Sequence, residues 1–151
     1  MISDHISFKE GTFSATATRL RLPNAPSKEH LSNMQILAKK IFEPLRVYVS
    51  GPIKINSFYR GPELNKAIGG SRKSQHCHGQ AMDIDDTFGY KTNAQMYHWI
   101  KENLDFDQMI WEFGDDDNPD WVHVSYVNAE ANRNRCLKAS RCASGTSYTV
   151  I

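Results

Sequence analysis

The sequence predicts an α+β fold, a small, mainly antiparallel sheet packed against helices. Three observations carry that expectation. A long apolar stripe of helical period occupies the first third of the chain. Short runs alternating apolar with polar residues follow it. No repeat, low-complexity tract or linker divides the 151 residues, so one domain over 1–151 is expected, with a core over about 8–127 and a basic, solvated tail over 128–151.

The stripe begins after Ser27, a good N-cap, and runs through Leu31, Met34, Ala38, Ile41, Leu45 and Tyr48 in steps of three and four. Pro44 lies inside it, so a kink or an early end is expected there. Residues 52–58 alternate Ile53 and Ile55 with Lys54 and Asn56, as a short strand would. Pro62 suits the start of a brief helix that Gly69-Gly70 would end. Residues 80–85 alternate again, Met82 and Ile84 against Asp83 and Asp85. Thr92 suits the cap of a helix through Met96, Ile100 and Leu104. Residues 108–113 and 121–127 read as two further strands, joined by a polar loop. If Met82, Ile84, Val122 and Val124 face the core, the period of two puts Asp83 and His123 together on the opposite face.

Apolar residues make up 40% of the chain and charged residues 23%, as in ordinary globular proteins. Eighteen Lys+Arg against 17 Asp+Glu give no push toward nucleic acid or an anionic membrane. No apolar run approaches the ~20 residues of a membrane span. Met1–Lys9 carries His and Asp rather than a basic stretch and an apolar block, so it does not read as a secretory signal. Three cysteines, Cys77, Cys136 and Cys142, form no disulfide framework and fit synthesis in a reducing compartment. A monomer is expected, with no nucleic-acid partner and no stable membrane association.

The densest chemistry is Ser74-Gln75-His76-Cys77-His78-Gly79-Gln80-Ala81-Met82-Asp83, followed forty residues later by His123. Imidazole nitrogens and a carboxylate are the donors of a catalytic zinc site, which needs three of them and one open position. The pattern Ser-x-His-x-x-Gly-x-Ala-x-Asp, with Asp120-Trp121-Val122-His123 downstream and Ser57-Phe58-Tyr59-Arg60 upstream, resembles the zinc D-Ala-D-Ala carboxypeptidases and phage endolysin peptidases of the Hedgehog/DD-peptidase fold. The resemblance covers roughly residues 8–127. It implies zinc as cofactor, held by His76, Asp83 and His123, and the peptide stem of bacterial peptidoglycan as substrate. It further implies Asp120 as the general base and Arg60 as the group that steadies the oxyanion. A phage or prophage lysis enzyme, made in the cytoplasm and acting at the cell wall, is the context it implies.

Alternatives stand beside these roles. Asp120 sits in a loop of turn formers, Asp115 to Asp120, and a turn-stabilising carboxylate is its other reading. Glu112 shares a strand face with Ile110 and is the competing base, or else a buried structural acid. Arg60 is otherwise a surface ion-pair partner. His78 departs from the family pattern and reads as an exposed residue, with metal competition or support of a ligand as lesser readings. Trp121 shares a parity with His123 and could wall a cleft. The sequence leaves endopeptidase and carboxypeptidase both open, and with them a virion structural or wall-binding module that keeps zinc without turnover.

Overall fold

The computed structural model describes all residues, Met1–Ile151. Two short helices open the chain, α1 (Phe8–Thr12) and α2 (Ala15–Leu20), capped by the hydroxyls of Ser7 and Ser14. Neither is long enough to show a helical period in the sequence. Ser27 caps α3 (Lys28–Leu37) by accepting from the His30 N–H. A π-helical turn, Ala38–Phe42, then leads without a break into α4 (Glu43–Val49).

Pro44 therefore does not end the helix early. Its ring would meet the carbonyl of residue 40 in a regular α-helix, and it has no N–H to donate. Widening the preceding turn accommodates both deficits, and the Glu43 N–H now reaches back to Ala38 O. The stripe continues across the turn, and Met34, Leu37, Ile41 and Leu45 are fully buried.

The strands are β1 (Lys54–Ser57), β2 (Ala81–Asp85), β3 (Gln108–Glu112), β4 (Trp121–Ser125), β5 (Arg135–Cys142) and β6 (Gly145–Val150). They form one sheet in the order β1-β2-β4-β3-β5-β6. Every neighbouring pair is antiparallel except β3 with β5. Between β1 and β2 lie α5 (Pro62–Ala67) and a 3₁₀ turn, Gln75–His78. Between β2 and β3 lies α6 (Asn93–Asn103), opened by a capping box of Thr92 and Gln95.

One face of the sheet presents Met82, Ile84, Met109, Trp111, Val122 and Val124 to the helices, in a single cluster of 24 buried residues. Burial of that many apolar side chains, at ~1.5–3 kcal/mol each, is the dominant favourable term in the fold. The opposite face carries no helical layer over its centre and is free to form a site.

The basic tail is not solvated coil. Residues 135–150 are a hairpin that extends the sheet, with β5 lying parallel to β3 and β6 forming the edge. Arg135, Lys138 and Arg141 hide the pattern, because only Cys136, Leu137 and Ala139 of β5 are buried. No helix is long and apolar enough to cross a membrane.

Candidate metal centre

Antiparallel pairing sets Asp83 of β2 directly opposite His123 of β4. Met82 and Val124, the next pair, point into the core, so period two turns both polar side chains outward together. His76 arrives from the 3₁₀ turn. Its Nε2 lies 3.3 Å from Asp83 Oδ2, and His123 Nδ1 lies 3.0 Å from Asp83 Oδ1. Donor atoms of the three residues all fall within 4.8 Å of one another. His76 Nδ1 is 2.8 Å from the Phe58 carbonyl, which can only accept. The proton therefore sits on Nδ1, and the Nε2 lone pair faces the cluster, as a ligand needs.

The run from Ser74 to Asp83 has a physical reason at each distinctive position. Ser74 Oγ accepts from the His76 N–H and so opens the 3₁₀ turn that lifts the imidazole. Gly79 ends the turn at φ +71, and a Cβ there would collide with the His30 carbonyl oxygen. Glycine alone combines that conformation with that clearance. Ala81 is fully buried where β2 begins.

Burial by itself would raise the Asp83 carboxyl, but the imidazoles of His76 and His123 outweigh it and hold it far below the ordinary carboxylate range. Asp83 is thus a half-buried anion among nitrogen donors, the setting a divalent cation completes. Arg60 stands beside it, Nη2 4.0 Å from Asp83 Oδ2. Its Nη1 donates to Asn65 Oδ1 at 3.2 Å, and its backbone N–H donates to His76 O at 3.1 Å. Asn65 of α5 thus holds the guanidinium, and the 3₁₀ turn holds the backbone that carries it.

The two candidate bases separate in the structure. Glu112 on β3 is buried and lines a cleft of about 870 Å³ with His76, Asp83, His123 and Arg60. Burial pushes its carboxyl up to about 7, with Asp83 adding to the rise and His123 opposing it. Asp120, the residue expected to be the base, is exposed and does not line that cleft. Its N–H donates to Glu112 O, and its carbonyl accepts from Asn93 Nδ2 on α6, so its backbone holds the loop to the helical side. Asp120 thus stands outside the cleft in this structure, while Glu112 lies inside it beside the cluster.

Other expectations divide similarly. Trp121 does line the cleft. His78 is exposed, edge-on to the His30 ring, and stays outside the cluster. Cys77 is half-buried, and that burial pushes its thiol up, away from thiolate character. Leu137, Arg133 and Tyr148, from the hairpin and its approach, also line the cleft. None was found in the sequence, where nothing local ties residues 133–148 to the motif. Asp107 was missed as well. It is buried, accepts from Gln75 Nε2 at 2.9 Å, and receives Arg133 through Nε at 2.9 Å and Nη2 at 2.8 Å.

Two imidazoles, one carboxylate and an open cleft beside them are the donor set of a catalytic zinc, and the residues fit that ion. The family model described as Peptidase M15 matches the chain over residues 4–125. No curated protein matches it.

Proposed function

This chain belongs to the peptidase M15 family, and on that premise we propose that it hydrolyses an amide bond in the peptide stem of bacterial peptidoglycan. It is a zinc metallopeptidase by family, with His76, Asp83 and His123 the residues that would hold the metal. The observation that carries the reading is the convergence of those three side chains with Glu112 and Arg60 in one cleft.

When bound, zinc supplies a Lewis acid that polarises a carbonyl and makes a water more acidic. This chain's own residues do the rest. Glu112 accepts a proton from the water that adds to the scissile carbonyl. It then passes that proton to the nitrogen as the C–N bond breaks, leaving a carboxylic acid and an amine. A carboxylate in the cleft beside the metal ligands can both take up that proton and return it. Arg60, fixed by Asn65, favours the negative charge that develops on the carbonyl oxygen. Asp107, through Gln75, holds the turn that carries His76.

We place its action at the cell wall, in a phage or prophage lysis setting. Mass spectrometry of muropeptides after incubation of sacculi with the zinc-loaded protein tests the reading. New ends inside the stem identify an endopeptidase, and loss of one terminal D-Ala identifies a carboxypeptidase. An unchanged muropeptide profile would mean a non-catalytic wall-binding or virion module. Glu112→Gln should keep one zinc and lose about 10²–10⁴-fold in kcat, the usual worth of general acid–base catalysis. Asp120→Ala should leave kcat within about threefold, as surface changes away from the chemistry do. The opposite ranking returns the base to Asp120.

A further inference from the structure

The hairpin β5–β6 lies beyond residues 4–125, the stretch that the family model matches, yet it reaches the cleft. Register explains how. Trp121 on β4 pairs with Glu112 on β3, Glu112 with Ala139 on β5, and Ala139 with Tyr148 on β6. Residues directly opposite share a face, so these four form one row across the cleft side of the sheet.

Ala139, the small member of the row, is fully buried between Glu112 and Tyr148. Partial burial, and then the nearby Glu112 charge, push the Tyr148 hydroxyl up, which puts the phenol within electrostatic reach of Glu112. Tyr148 lines the cleft, and 57% of its surface is exposed. A large aromatic face left open beside the reacting groups is surface that a bound molecule would cover.

We propose that the hairpin forms one wall of the substrate-binding surface and that Tyr148 contacts the substrate through its ring. The proposal rests on the peptidase reading above, with a peptide-stem fragment as the ligand. Glu112 is thereby flanked in its row by two aromatic walls, Trp121 on one side and Tyr148 on the other. Peptide bound over Glu112 would lie against both.

The test uses the full chain, zinc-loaded, and a soluble disaccharide-peptide fragment released from sacculi by a muramidase. Tyr148→Ala should raise KM about tenfold, with zinc content intact and kcat within about threefold. Tyr148→Phe, which keeps the ring, should stay within about twofold in KM, as should Thr149→Ala on the opposite face of β6. If Tyr148→Ala frays the hairpin, Tyr148→Thr, a good strand former, replaces it. Calorimetric titration of the same fragment into Glu112→Gln protein, with and without the Tyr148 change, reads binding apart from turnover. A tenfold loss there supports the proposal even if no variant cleaves, a result that would sink only the peptidase reading. Unchanged affinity and KM in Tyr148→Ala, an equal loss in Thr149→Ala, or no binding at all would overturn the proposal.

Discussion

Glu112, within a strand, and Asp120, just before one, show how position in the sheet decides which carboxylate lines the cleft. Asp120 is three residues before His123 but precedes β4, in the bend of the loop, where its side chain is exposed and outside the cleft. Ile110 pairs with His123, and Glu112 is two residues from Ile110, an even offset that returns to the same face. Asp83 and His123 were legible in the sequence by the same parity rule, applied to alternation on both strands. Glu112 was less so, because its position depends on β3 lying beside β4 in one register. Its burial has a measurable consequence in protein stripped of metal. A carboxyl raised on folding stabilises the fold below its unfolded value of ~4.3 and loses that contribution as pH rises through the folded value near 7. At pH 8 Glu112→Gln should therefore stabilise the metal-free protein by about 1–3 kcal/mol, and at pH 4 by almost nothing. Urea unfolding at the two pH values checks this, and equal effects at both would contradict the burial argument.

At the scale of elements, the long helical stripe, α6 and strands β1 to β4 could be read because each obeys its own period over enough residues. The π turn could not, since a proline in the middle of a stripe signals disruption without saying how the chain absorbs it. The hairpin could not either, because Arg135, Lys138 and Arg141 break the alternation of a strand whose burial comes from its neighbour β3. Asp107 joins these pieces, linking the 3₁₀ turn through Gln75 to the approach of β5 through Arg133. Its carboxyl lies below the ordinary range; burial alone would raise it, but the Arg133 and Gln75 hydrogen bonds outweigh that. A lowered carboxyl contributes stability above its unfolded value of ~3.9 and loses it as pH falls through the folded value. Asp107→Asn should thus destabilise by about 1–2 kcal/mol at pH 7, a figure reduced because Arg133 is half exposed. The difference from wild type should shrink as pH falls toward 2. Chemical denaturation across that range tests it, and a constant difference would show that packing, not charge, holds the junction.

For the whole molecule, the division of labour lies between the two faces of one sheet. Helices cover one face and give it a core, while the other gathers ligands from β2, β4 and the 3₁₀ turn, an acid from β3, and a wall from the hairpin. The family fold was legible because its motif residues are spaced by that architecture; the cleft's far wall was not, because it is assembled from residues distant in sequence. A site shared by several elements should tie their stability to the ion. Chelation should lower the melting temperature, by RT ln(1 + [Zn]/Kd) in free-energy terms. The most direct measurement is zinc stoichiometry by plasma mass spectrometry on wild type, His76→Ala and His123→Ala, each purified in the same zinc-containing buffer and desalted. One zinc per wild-type chain and near zero in both variants is the expected result. A full equivalent of zinc retained by either variant would contradict a centre made of His76, Asp83 and His123.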